Sequence, residues 1–165
     1  INLSPKQFSD PDLLGTIAAI LLEEQLPAAQ LELELTESLL LEATEETRQQ
    51  LIGLKALGLT LAMDDFGTGY SSLSYLKKFP IDVIKIDRSF IKDIPGNQDD
   101  VEITSAVIAM ARKLHLKVVA EGIETPEQLK FLRRHRCDIG QGYLFDKPIP
   151  GNILTEALRR YPQWC

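Results

Sequence analysis

The chain has 165 residues, 44% of them hydrophobic and 25% charged, enough apolar content to bury a sizeable core, so a single domain over residues 1–165 is the expectation. A net charge of −6 and a pI near 5.0 exclude a broad electrostatic grip on a DNA or RNA duplex, and an anionic ligand needs local positive charge. No apolar run approaches the roughly 20 residues of a membrane span. Ile1 opens without a signal-peptide pattern, and Cys137 and Cys165 lack metal-ligand spacing, so a reducing cytoplasm is expected. The missing initiator Met points to a fragment or a processed product.

Apolar β-type runs alternate with helix-type runs, the pattern of an α/β protein with a parallel sheet. The first strand is a stub at residues 1–3, followed by a helix over 12–25. The second strand covers 31–36, and a helix with a Thr-Glu-Glu cap spans 44–57, closed by Gly58 as its C-cap. The third strand, 59–64, runs into a glycine-punctuated loop and a short helix over 71–78. Residues 83–87 form the fourth strand, Pro95-Gly96-Asn97 a turn, and 99–114 repeat apolar residues at helical spacing. A fifth strand at 116–120 precedes a helix over 126–135, where Thr125 reads as an N-cap before a first-turn proline. A short sixth strand at 138–142 and a helix over 152–160 complete the series. The basic run Lys130, Arg133, Arg134, His135, Arg136 reads as a solvated helix face, and neither His115 nor His135 reads as a site residue.

Unusual polar residues gather at the carboxyl ends of these strands. Asp64 and Asp65 stand side by side, a repulsive pairing unless a cation or a shared proton neutralises it; the plainer alternative is an Asx turn with one carboxylate in water. Asn2, Glu34, Glu37, Lys85, Asp87, Glu121, Glu124 and Gln141 occupy the matching positions on the other strands. Each has a structural alternative. Lys85 and Asp87 share a strand face and could pair, Glu121 and Glu124 could cap the helix at Pro126, Glu37 could hold the glycine loop, and Gln141 could sit in a turn. In a closed or partly closed parallel barrel these strand ends converge on one mouth, which favours a shared site. Carboxylates without His or Cys suit Mg²⁺, Mn²⁺ or Ca²⁺ rather than zinc, and suit phosphoryl chemistry with metal-activated water.

Asn2-Leu3-Ser4, Glu34-Leu35-Thr36-Glu37-Ser38, Asp64-Asp65-Phe66-Gly67-Thr68-Gly69-Tyr70-Ser71-Ser72-Leu73, Lys85-Ile86-Asp87, Ala120-Glu121-Gly122-Ile123-Glu124-Thr125 and Gln141-Gly142-Tyr143 occur in that order. With Lys147-Pro148, they make the whole chain resemble the EAL-domain family of bacterial cyclic di-GMP phosphodiesterases. The resemblance implies a TIM-like (β/α)₈ barrel, of which this chain supplies about six of the eight β/α units, leaving an incomplete or open barrel. It implies Asn2, Glu34, Asp64, Asp65, Glu121 and Asp87 at two Mg²⁺ or Mn²⁺ ions, with Ca²⁺ inhibitory. Lys85, Glu121 and Glu124 become catalytic, Gln141 and Asp87 substrate-binding, and Glu37 the anchor of the loop after Asp64, which in the family leads to a dimer interface. The implied reaction opens cyclic di-GMP to linear pGpG, in a cytoplasmic homodimer fused to sensory or cyclase domains, with no duplex nucleic acid as partner. The family's Glu-Ala-Leu segment is absent from this sequence, so little turnover is expected of the chain alone. The rival expectation is a catalytically silent cyclic di-GMP receptor.

Overall fold

The computed structural model describes residues 1–41, 44–68, 76 and 78–160. Its strands follow the period-two alternation of side chains. In β1 (Glu32–Thr36), Leu33 and Leu35 are buried while Glu32, Glu34 and Thr36 are only half-buried. β2 (Thr60–Phe66), β3 (Val83–Ile86), β4 (Lys117–Ala120) and β5 (Ile139–Gly140) continue a parallel sheet in the order β1-β2-β3-β4-β5. The register sets Glu34 beside Ala62, Ala62 beside Val83, and Lys85 beside Val119. One face therefore carries Leu33, Leu35, Leu61, Met63, Ile84, Ile86, Val118 and Ala120, which join Phe8, Leu51, Leu54, Ile108 and Leu132 from the helices in the main core. Burying each of these large side chains contributes about 1.5–3 kcal/mol. The other face carries a separate cluster of Ala62, Val83 and Val119, and further along the strands come Glu34, Asp64, Lys85 and Glu121.

The helices are α1 (Pro5–Phe8), α2 (Leu13–Glu23), α3 (Glu37–Leu41), α4 (Glu45–Ala56), α5 (Arg88–Ile91), α6 (Gln98–Lys113), α7 (Pro126–His135) and α8 (Gly151–Arg160). Helices on one side of a parallel sheet whose edge strands do not meet make an open wall of a TIM-like barrel. Local sequence sets the helix ends. The Thr44 hydroxyl accepts the N–H of Thr47 to start α4, and Gly58, at φ +95°, takes the left-handed conformation that ends it. Among the described residues, no helix is long and apolar enough to cross a membrane.

Several elements differ from the sequence expectation. The first strand shrinks to a single bridge between Asn2 and Glu34. β2 runs on past residue 64 because its register shifts between Met63 and Phe66, with Asp65 at φ +55°, so Phe66 regains pairing with Ile86. β3 stops at Ile86 because Asp87 turns to accept the N–H of Ser89 and cap α5. α1, α3 and α5 have 4, 5 and 4 residues, too short for a 3.6-residue period to show. The helix expected over 71–78 lies outside the described residues except at Leu76 and Lys78.

A carboxylate before β3 ties the amino ends of the strands together. Asp82 Oδ2 accepts the N–H of Leu61 at 2.8 Å and Lys55 Nζ at 2.7 Å, and Lys55 also donates to the Leu59 carbonyl at 2.8 Å. Asp138 repeats the arrangement before β5, accepting the N–H of Val118 at 2.9 Å. Asp82→Ala is expected to destabilise the fold by about 2 kcal/mol, since it strands a backbone donor and a half-buried ammonium. Urea unfolding reads this directly, and a loss below about 0.5 kcal/mol would mean that water replaces the carboxylate.

Candidate active site

The site is built around Lys85, which alternation places on the sheet face away from the helices. Its ammonium donates to Glu121 Oε1 at 2.7 Å, Glu34 Oε2 at 3.1 Å and Asp64 Oδ1 at 3.1 Å. These carboxylates come from β1, β2 and the residue that follows β4, and the Lys85 side chain is 7% exposed. Ala62, Val83 and Val119 lie behind it as an apolar floor. Burial alone would push the ammonium toward deprotonation, but the bonds to Glu121, Glu34 and Asp64 outweigh it and hold the Lys85 pKa above its ordinary value. Burial raises the Glu121 carboxyl, with Asp64 and Glu34 adding to the rise against the pull of Lys85. Asp65 is raised as well, by burial first and then by Asp64 and Asp87. The carboxylates thus carry more negative charge than Lys85 compensates.

The remaining expected residues surround this group in different ways. Asp65 donates its N–H to Asp64 Oδ1 at 3.1 Å, and its carbonyl accepts the hydroxyl of Thr68 at 2.9 Å. Asn2 stands beside Glu34 through the main-chain bonds Leu3 N to Glu34 O and Glu34 N to Ile1 O, both 2.9 Å. Asp87 accepts both the N–H and the hydroxyl of Ser89. Burial would raise Asp87, but the Ser89 bonds prevail and leave its carboxyl below the ordinary value. The Lys85–Asp87 pairing that the strand spacing allowed is thereby replaced by bonds to neighbours on other elements. Glu37, at 5% exposure, accepts the N–H of Gly67 on Oε2 at 3.2 Å, while its Oε1 has no partner among the described residues. Glu124 does not cap α7; it pairs with Arg88 at 2.9 Å, and Thr125 is the N-cap. Gln141 extends the sheet beyond β5, donating to the Ala120 carbonyl at 2.9 Å and accepting from Ile123 at 3.0 Å. Glu121, Glu124, Gln141, Arg88, Tyr143 and Lys147 share the lining of an open cavity of about 410 Å³.

His115 is exposed, and His135 stacks on Phe131 at 4.1 Å with Nδ1 against the Phe131 carbonyl. Arg88 and Gln128 were not legible as site neighbours in the sequence. For Gln128 the available signal was its place as the third residue after Thr125, the spacing of a capping box.

Among the described residues, no three His, Cys, Asp or Glu side chains are drawn together closely enough to hold a metal ion; the centre of the carboxylate group is taken by Lys85 Nζ. The donor chemistry nevertheless fits a hard divalent cation. The ligating atoms are carboxylate oxygens, and a monovalent ammonium already sits among them.

Comparison with known proteins accords with this geometry. The EAL domain model matches residues 1–148. The cyclic di-GMP phosphodiesterase NbdA of Pseudomonas aeruginosa is 50% identical over 161 residues, covering 98% of this chain and 21% of that protein. The crystal structure of the EAL domain of Mycobacterium smegmatis DcpA superposes with a TM-score of 0.91 at 44% identity, covering 97% of this chain and 72% of that one. A Klebsiella pneumoniae BlrP1 complex with manganese and cyclic di-GMP gives 0.83 at 36% identity, covering 90% and 38% of the two chains. The chain spans about a fifth of the length of the curated relatives it matches. A family match over 148 of 165 residues, on the same parallel sheet that gathers Glu34, Asp64, Lys85 and Glu121 at its strand ends, shows that the chain belongs to the EAL domain family.

Proposed function

We propose that this chain forms the larger part of a metal-dependent phosphodiesterase that hydrolyses cyclic di-GMP to linear pGpG. The observation that carries the reading is the ammonium of Lys85 held by Glu34, Asp64 and Glu121 with Asp65 alongside, an anionic group of hard oxygen donors at the strand ends. Asn2, Glu34, Asp64, Asp65, Asp87 and Glu121 would hold a pair of Mg²⁺ or Mn²⁺ ions, which supply charge neutralisation for the phosphate and a more acidic bound water.

The chain's own groups do the rest. Lys85, surrounded by carboxylates, is a donor at Nζ; it orients the attacking water and offsets charge that builds on the phosphate. Glu121, whose carboxyl is raised by burial, takes a proton from that water. The water oxygen bonds to phosphorus, the bond to a ribose 3′ oxygen breaks, and that oxygen takes a proton from solvent water while Glu121 returns its proton to solvent, so one ring phosphodiester becomes the 5′ phosphate of the linear dinucleotide. Glu124 and Gln141, on the adjoining cavity, contact the rest of the substrate, and Glu37 anchors the loop that follows Asp64 by holding Gly67. A nucleotide second messenger places the reaction in the cytoplasm, and the fifth of the length shared with relatives such as NbdA accords with fusion to sensory or cyclase domains.

Turnover needs the site closed on both sides. The sheet ends openly at β5 and at the single bridge of Asn2, so the described residues leave the carboxylates walled on part of their circumference. The 165 residues alone should therefore hydrolyse far more slowly than the chain together with any sequence that naturally flanks it. The test is cyclic di-GMP binding and turnover measured side by side in Mn²⁺. Linear product supports the enzyme, whereas binding without product from every form of the chain would instead make it a receptor.

A further inference from the structure

We propose that Gln128 is a positioning residue for the phosphodiesterase site, clamping the segment that carries Glu121 and Glu124 onto the helix that Asp87 begins. The inference rests on the function proposed above. Gln128 is 3% exposed, and both ends of its amide are engaged. Oε1 accepts the N–H of Glu124 at 2.7 Å and of Thr125 at 2.9 Å, while Nε2 donates to the carbonyl of Lys92, the C-cap of α5, at 2.9 Å. A capping box accounts only for the bond to Thr125. In the equivalent box of α1, the Gln7 side chain bonds Ser4 alone among the described residues and is exposed. Of the two further bonds of Gln128, the one to Lys92 spans 36 residues and the one from Glu124 spans 4, and together they join two strand-end segments.

What they join matters for the chemistry. Glu121 reaches Lys85 from the start of one segment, and Asp87 caps α5 at the start of the other. A second link runs parallel: Arg88 pairs with Glu124 at 2.9 Å, and its stem lies so close over Gly122 that a Cβ there would meet Arg88 Cγ at 2.3 Å. The Arg88 pair is exposed to solvent and weak on its own, so the buried amide carries most of the constraint. Groups that hold ligands without touching the reaction act in this way, and their loss costs about 10–100-fold in metal affinity or rate.

The experiment uses the chain with its natural flanking sequence and compares Gln128→Met, which keeps the buried volume and removes every side-chain bond, with Gln128→Glu, which keeps the acceptor toward Glu124 and loses the donor toward Lys92. Mn²⁺ affinity by calorimetry, kcat, KM and the melting temperature are measured on each. The proposal expects Mn²⁺ affinity and kcat to fall about tenfold or more in Gln128→Met, with KM within about twofold, and Gln128→Glu to lie between it and the parent. If Gln128→Met does not fold, the Gln128→Glu comparison decides. Variants that only melt earlier, with parental Mn²⁺ affinity and kcat in the folded protein, would overturn it and leave Gln128 a helix cap. A parent that neither binds Mn²⁺ nor turns over would instead sink the phosphodiesterase reading, and this proposal with it.

Discussion

Lys85→Met is expected to lower cyclic di-GMP hydrolysis by about a hundredfold while tightening Mn²⁺ binding, a combination that a general loss of structure cannot produce. The ammonium sits among Glu34, Asp64 and Glu121, where it both compensates the carboxylates and competes with any other cation. Methionine keeps the length of the stem and removes the charge. Without metal, the carboxylates then face one another across a buried floor, and leaving such groups unpaired costs about 3 kcal/mol, toward the low end because their side chains are 15–21% exposed. With Mn²⁺ that loss should be recovered, since the competing cation is gone. Denaturant melts with and without Mn²⁺, set beside the rate, test this. Metal affinity that falls in step with activity would contradict it.

Asp64→Asn is expected to reduce the rate by about a thousandfold or more, equivalent to about 4 kcal/mol of transition-state stabilisation. Asp64 Oδ1 accepts from both Lys85 Nζ and the N–H of Asp65, each at 3.1 Å, and an amide oxygen can accept the same two bonds. The fold and the β2 irregularity should therefore persist while the negative charge is lost. Melting within about 1 kcal/mol of the parent, combined with the collapse in rate and in Mn²⁺ affinity, is the expected pattern. A variant retaining a tenth of parental activity would show that Asp64 serves the fold rather than the chemistry.

The helices of ten residues or more were legible to within two residues at each end: α6 was expected over 99–114 and is observed as Gln98–Lys113, and α7 was expected over 126–135 and is observed as Pro126–His135, because Thr125, Pro126 and the apolar spacing all specify the same element. α1, α3 and α5 were not, since each is little more than a single turn, too short for an apolar face to show. The convergence of Glu34, Asp64, Lys85 and Glu121 could be anticipated from strand-end positions, but not the identity of the partners. Spacing along one strand suggested Lys85 with Asp87; the register of β1 to β4 turns Lys85 toward its neighbours, and the α5 cap turns Asp87 away. The alternative that Glu124 caps α7 likewise gives way, because the fold brings Arg88 across Gly122 to meet it. Cross-strand register and long-range pairing are decided by tertiary packing, and a local pattern does not encode them.

The most direct test of the account is a crystal structure of the chain, with its natural flanking sequence, grown in Mn²⁺ and recorded at the manganese absorption edge. Anomalous density bonded to oxygens of Glu34, Asp64, Asp65 or Glu121, with Lys85 displaced toward the water it is proposed to orient, is the predicted result. Lys85 still seated among the same carboxylates, with no anomalous density at them in a protein that turns over in Mn²⁺, would contradict it.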